Sequence, residues 1–547
     1  MTGWAGHLMI LPVVLPLVAG AVMLLLGDRR RGLKAAVGIG SILALGAVAV
    51  ALLRLADAAP PGSASVRVGV YLLGNWPAPF GIVLVADRLS ALMLLLTSLL
   101  GLGVLIFSLA RWHQAGTHFH PLLQFLLMGL NGAFLTGDLF NLFVFFELML
   151  AASYGLVLHG SGIARVKAGL HYIAVNLAAS LLFLIGVSLI YGVTGTLNMA
   201  DLAVRIPQVA AQDRMLLEAG AAVLGVAFLT KAAMWPLGLW LPTTYAAAAP
   251  PVAAMLAIMS KVGVYVVLRL SLLLFGEGSG ASARFGESWL LAGGMMTLAF
   301  GAIGVLASQT MARLAGFAVL VSSGTLLAVI GTGQAGATGP ALFYLVSSTL
   351  AVSAFFMLIE LVERGRDPGA DMMAVTIEAY GEDGEEEADE AEEVGVAIPA
   401  TMAVLGLSFL GCALLLAGLP PLSGFIAKFA MLAALLNPPG GGGGVPAASW
   451  ALLALLILSG LTTLIAMTRA GIRAFWGPVE RAVPRVRVIE IAPVAAFLLA
   501  CAALTVKAEP AMRYMQAAAS ALHEPGDYIG SVLTAPRAPG PRGEGAP

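Results

Sequence analysis

Apolar runs of about twenty residues recur along the whole chain, separated by short stretches that hold most of its charge, glycine and proline. A helical run of that length covers ~30 Å, the thickness of bilayer hydrocarbon. Reading apolar windows against turn signals predicts about fourteen membrane-spanning helices. Their approximate positions are 8–27, 33–55, 84–110, 120–137, 140–159, 166–193, 216–245, 250–274, 288–307, 310–331, 340–363, 398–436, 449–476 and 487–508. Two of these, 216–245 and 398–436, are too long and too interrupted to be simple helices.

Composition agrees with the pattern. The 547 residues are 59% hydrophobic and 11% charged, where a soluble chain carries roughly 25% charged residues. This is an all-α polytopic membrane protein. The formal net charge of −1 points to no particular partner, and nothing suggests nucleic acid. Both cysteines, Cys412 and Cys501, lie in apolar runs, which suggests neither a disulfide nor a metal site. No CxxC, HExxH, P-loop or strand-linked GxGxxG signature is present, so nucleotide hydrolysis and bound cofactors lack support. The first apolar run has no basic stretch before it and "GDRRRGLK" after it, the pattern of a first span rather than a cleaved signal.

Basic residues of the short loops set orientation. With residues 28–34 in the cytoplasm, Arg29, Arg30, Arg31, Lys34, Arg111, Arg165 and Lys167 share that side, and both termini lie outside. Residues 366–397, with the run "EDGEEEADEAEE", read as a solvated cytoplasmic linker, or alternatively as a docking strip for a partner. The Pro- and Gly-rich tail beyond about residue 523 reads as disordered.

Four charges fall far from the predicted helix ends: Glu147, Lys231, Lys261 and Lys428. Each costs ~2.5–3.5 kcal/mol at a helix centre, so each must face protein or water, and the default role of such a residue is an ion or proton pathway. The competing readings are a purely structural ion pair for Glu147 and snorkelling stems for the lysines. Lysine suits a proton relay because desolvation lowers its pKa and a nearby carboxylate raises it again. Glu147 and Lys231 are expected to pair, with Lys261 central and Lys428 serving the far half. Ser322, Ser323, Tyr344, Ser347, Ser348 and Thr349 are candidates to order water between the last two. His159 and His171 read as exposed loop histidines.

Both overlong spans place a breaker beside a lysine. "AFLTKAAMWPLGLWLP" sets Pro236 after Lys231, and "GLPPLSGFIAKF" sets Pro420, Pro421 and Gly424 before Lys428. Proline frees backbone groups that a bilayer tolerates only where protein or water satisfies them. Two such segments in corresponding positions point to two inverted repeats around a transport site. The repeats are expected at 120–274 and 288–476, five helices each with one broken, flanked by three helices in 1–110 and a last helix with the tail in 487–547.

With "FFELML" around Glu147, "YGVTGTLNMADL" at 191–202, "KAAMWPLGLWLP" from Lys231, "SKVGVYVVLR" at 260–269 and "GLPPLSGFIAKF" at 418–429, the chain resembles the antiporter-like family shared by Mrp-type cation/proton antiporters and respiratory complex I. "ELMLAASYGLV" and "KVGVYVVLR" are more similar to the D-type Mrp subunits, and the chain lacks the long extensions of the largest relatives. The resemblance implies one subunit of a hetero-oligomeric Na+/H+ antiporter in the cell membrane, driven by the proton motive force. It assigns the relay to Glu147, Lys231, Lys261 and Lys428. Many relatives carry histidine where this chain has Gly238, and several carry one in the bridging helices, so a hydroxyl-held water relay is expected here. The alternative is a redox-driven pump subunit of complex I or a related hydrogenase, and a third reading is a scaffold with a vestigial relay.

Overall fold

In hydrocarbon each backbone N–H and C=O must find its partner within its own segment, so the apolar runs fold as helices. The computed structural model describes residues 4–27, 29–58, 68–364, 400–437, 444–476 and 486–537. The acidic linker at 366–397 lies outside these residues, as does the end of the tail.

The first helices are α1 (Leu11–Leu25), α2 (Arg31–Asp57) and α3 (Arg88–Ser108). Next come α4 (Phe119–Leu135), α5 (Leu139–Val157), α6 (Ile163–Thr194) and a short α7 (Met199–Arg205). The first overlong run divides into α8 (Ala211–Lys231) and α9 (Trp240–Ala247). After it follow α10 (Pro250–Phe275), α11 (Glu287–Ala307), α12 (Met311–Ile330) and α13 (Ala335–Glu363). The second divides into α14 (Ala400–Ala417) and α15 (Ser423–Leu436), before α16 (Ala447–Phe475) and α17 (Val488–Val506). Eleven of the described helices are long and apolar enough to cross a membrane, and α1, α4 and α15 are shorter apolar helices.

Their arrangement follows from how much of each surface is apolar. The most hydrophobic stretches of α10 and α13 are enclosed all round, as expected for helices without a polar face. α2, α14, α16 and α17 lie outside, presenting Leu43, Leu407, Ile457 and Leu499 outward. α10 and α13 therefore form the centre of the bundle, and both carry candidate site residues.

Three features differ from the sequence expectation. A two-stranded antiparallel hairpin forms in the connection before α3, with β1 (Gly69–Leu72) paired to β2 (Val83–Ala86). Disorder beyond about residue 523 is corrected. The chain continues past α17 as an amphipathic α18 (Ala508–His523) and then α19 (Gly526–Leu533), which buries Tyr528 and Val532. His159 is buried rather than exposed, with Nε2 2.7 Å from the Trp112 carbonyl, whereas His171 does face outward.

Both interruptions fall where the prolines predict. After Lys231 the chain turns through Ala233 at φ +59°, and the Met234 N–H returns to the Leu229 carbonyl at 2.9 Å. The loop folds so tightly that a Cβ on Gly238 would lie 2.1 Å from the Ala233 oxygen. Backbone cannot yield there, so the histidine that many relatives are expected to carry has no room in this loop. In the second break Gly418 takes φ +75°, and the Gly418 and Leu419 N–H groups both return to the Leu414 carbonyl. A Cβ on Gly424 would meet the Leu415 oxygen at 2.3 Å. The Trp235–Pro236 and Pro420–Pro421 bonds are cis. Pro236, Pro420 and Pro421 face out of the bundle, while the lysines beside them are buried.

Candidate ion-translocation site

Glu147 sits midway along α5, half-buried, and accepts a hydrogen bond from the Ser180 hydroxyl of α6. Lys231 is the last residue of α8 and is buried; its Nζ donates to Asn176 Oδ1 at 2.7 Å. The expected direct pairing of Glu147 with Lys231 is thus corrected: among the described residues they form no ion pair. Asn176 and Ser180 are one turn apart on α6, so they share a face. The Ser180 hydroxyl also lies 3.0 Å from the Asn176 carbonyl. Two residues of α6 therefore connect carboxylate and ammonium. Polar residues within an apolar run were the available signal for Asn176 and Ser180, but uncharged side chains draw less notice than charges.

The break beside Lys231 is satisfied by protein. Trp240 Nε1, on α9, donates to the Thr230 carbonyl at 3.3 Å. The Trp235 N–H donates to Thr297 Oγ1, on α11, at 2.8 Å. α10 meets the same break at Gly263, where a Cβ would lie 2.5 Å from the Ala232 nitrogen. That close approach is open only to glycine, and it leaves Lys261, two residues earlier, on the opposite face of α10, towards α12.

From Lys261 a run of hydroxyls crosses three helices. Lys261 Nζ is 3.3 Å from Ser323 Oγ on α12. The adjacent Ser322 bonds to Ser348 of α13 at 2.9 Å. Ser347, next along α13, bonds to Ser423 at the start of α15 at 2.7 Å. Tyr344 faces the hydroxyls of Ser322 and Thr325. Thr349 does not join this run, because its hydroxyl bonds to the Leu345 carbonyl of its own helix at 2.6 Å. Lys428 stands five residues beyond Ser423 and donates to the Ala417 carbonyl, freed by the second break, at 2.9 Å. Gly418 leaves room for it, since a Cβ there would lie 2.6 Å from Lys428 Cδ.

A further buried pair is not evident from the sequence, because Asp87 and Arg269 fall near predicted span ends. Arg269 Nη2 is 2.9 Å from Asp87 Oδ1, with a second bond from Nη1 to Oδ2, and the guanidinium packs over the rings of Tyr265 and Tyr528. Among the described residues no cluster of three or more His, Cys, Asp or Glu side chains could hold a metal ion.

An all-α membrane bundle with two broken helices, each holding a buried lysine, is the class of protein that this fold and site define. Residues 136–439 match the family model described as NADH:quinone oxidoreductase/Mrp antiporter, TM. The chain is 63% identical over 543 residues to the D subunit of a probable K(+)/H(+) antiporter of Rhizobium meliloti, covering 98% of this chain and 99% of that one. It is 32% identical to the D subunit of the Na(+)/H(+) antiporter of Alkalihalophilus pseudofirmus, covering 96% and 99%. Among solved structures it is similar to a chain of the Mrp complex from Dietzia sp. DQ12-45-1b, with TM-score 0.80, 26% identity and coverage of 96% and 99%. A chain of respiratory complex I from Thermus thermophilus shares the fold, with TM-score 0.72, 21% identity and coverage of 94% and 99%. The protein belongs to the membrane-subunit family shared by NADH:quinone oxidoreductases and Mrp antiporters, among its D-type antiporter subunits.

Proposed function

We propose that this chain is the proton-carrying subunit of a multi-subunit monovalent cation/proton antiporter. The observation that carries the reading is the polar thread through an otherwise apolar core. It runs from Glu147 through Ser180 and Asn176 to Lys231, and from Lys261 through paired serines towards Lys428. Buried lysines that bond to amide, hydroxyl or carbonyl groups, rather than to carboxylates, are free to change protonation state without breaking an ion pair.

α1, α4 and the α8–α9 pair complete fourteen spans in this reading, placing both termini outside. Helices α4–α10 and α11–α16 then form two five-span repeats of opposite direction, since an odd number of spans inverts the second. The broken helix of each supplies Lys231 or Lys428. Exchange of more protons inward than cations outward is driven by the membrane potential at about 2.3 kcal/mol per charge per 100 mV.

The K(+)/H(+) name of the 63% identical relative favours potassium as the cation over the sodium of the more distant ones. A hard cation wants several oxygen ligands, whereas the charged mid-membrane set here is one glutamate and three lysines. The cation therefore passes through the other subunits of the complex. The redox-pump alternative draws support from the shared family model and fold, whereas both named relatives are antiporter subunits.

The test is cation-dependent proton exchange in everted vesicles carrying the whole complex, with KCl and NaCl compared. Lys231→Ala at matched assembly is expected to abolish exchange with either salt. Retained exchange would assign the lysine a structural role and move the proton path to another subunit.

A further inference from the structure

On the face that carries Arg111, Arg165 and Arg364, a cavity of about 270 Å³ opens between α9, α10, α12 and α13. Its walls include Tyr245, Pro250, Ala253, Ala312 and Phe356, and Glu360 lines its mouth. Eleven residues are just over three helical turns, about 16 Å, and return to the same helix face. Lys261 stands eleven residues beyond Pro250 on α10, and Ser323 eleven beyond Ala312 on α12. The cavity therefore lies directly below the Lys261–Ser323 contact, along the faces of both helices that carry it. Alanines line the interval on α10, at Ala253, Ala254 and Ala257, whereas the same face of α12 carries Ala315, Gly316 packed against Pro242, and the buried Val319. Two hydroxyls stand alongside it, Tyr245 on the Leu256 carbonyl at 2.6 Å and Ser353 on the Ala254 carbonyl at 2.8 Å.

Two carboxylates, Glu360 and Glu363, line the cavity beside Arg364, and Glu360 is the more deeply buried of the two. Glu360 is buried, accepts from Trp112 Nε1 at 2.6 Å and pairs with Arg364 at 2.7 Å, with Arg111 at 3.8 Å. Arg364 is shared, since the buried Glu490 of α17 binds it at 2.7 Å as well. Protonating Glu360 would thus leave Arg364 still compensated by Glu490, which lowers the cost of the neutral state relative to an isolated pair.

Resting on the proton-path reading above, we infer that this cavity is the port through which Lys261 exchanges protons with the basic side, with Glu360 as the collecting carboxylate. A proton from bulk water binds Glu360, passes to water in the cavity, and from there to the amine of Lys261. Arg364 stays on Glu490 while Glu360 is neutral and re-pairs with both when the proton has left. Nothing in the relay of Glu147, Lys231, Lys261 and Lys428 requires this position.

The experiment uses the whole complex in everted vesicles. Glu360→Gln is expected to lower the initial rate of cation-dependent proton exchange at least tenfold, with Glu360→Asp retaining more than the amide. Ala312→Cys supplies an independent probe that leaves the carboxylate in place. The chain's own Cys412 and Cys501 are buried, and wild-type complex given the same reagent is the control. A membrane-impermeant methanethiosulfonate is expected to label Ala312→Cys from the basic side and to block exchange. Failure to label, or full labelling with an unchanged rate, would overturn the port. Lys261→Ala, run in parallel, separates the two levels. If exchange survives it, the proton-path reading fails; if it abolishes exchange while Glu360→Gln runs at the wild-type rate, only the port falls.

Discussion

Lys231 illustrates what a single buried charge requires. Its ammonium is enclosed and held by the Asn176 amide oxygen, so removing that oxygen leaves a buried donor unpaired, at a cost of about 1–3 kcal/mol. Asn176→Ala is therefore expected to slow cation-dependent proton exchange at least tenfold in assembled complex, measured in the same vesicles. An unchanged rate would show that Asn176 is not a link between Lys231 and Glu147. The four intramembrane charges were legible in the sequence because charge in an apolar run is costly and conspicuous. Asn176 and Ser180 were not, because serine and asparagine also occur at ordinary helix contacts in membranes, and only packing shows which of them meets a lysine.

The broken helices show how an element can be set by its punctuation. Proline fixes where α8 and α14 must end, so the division of both overlong runs was readable in advance. The path of the intervening chain was not. Gly418 serves that path twice: its φ of +75° suits glycine, and its missing Cβ makes space for Lys428. Gly418→Ala is expected to push Lys428 off the Ala417 carbonyl and to lower exchange severalfold without preventing assembly. Equal exchange rates in Gly418→Ala and wild type would refute the claim that this contact positions the lysine.

Across the molecule, the Asp87–Arg269 pair ties distant segments together. Asp87 begins α3, Arg269 lies in the last two turns of α10, Tyr265 Oη reaches the Phe134 carbonyl of α4, and Tyr528 comes from α19. Removing one partner of a buried pair leaves an uncompensated charge and costs about 3–5 kcal/mol, whereas replacing both with apolar groups is often far milder. Asp87→Ala is expected to lower the thermal midpoint of the purified complex markedly, and the double variant Asp87→Leu with Arg269→Met to recover much of the loss. A double variant no more stable than the single one would count against this account. The same contacts explain why the chain beyond 523 folds as α19: Tyr528 supplies one face of the Arg269 site.

The sequence by itself determined that the chain is a membrane-embedded helical bundle, where nearly every membrane-spanning helix lies, where two of them break and that three lysines are buried in it. These follow from local rules: apolar length against bilayer thickness, the missing N–H of proline, and the cost of a charge in hydrocarbon. Only the tertiary structure decided that Glu147 reaches Lys231 through α6, that Ser322 and Ser323 divide their contacts between α13 and Lys261, and that Glu360 lines a cavity between α9, α10, α12 and α13. These contacts join residues far apart in the chain, and no local periodicity records which faces of two buried, all-round apolar helices will meet.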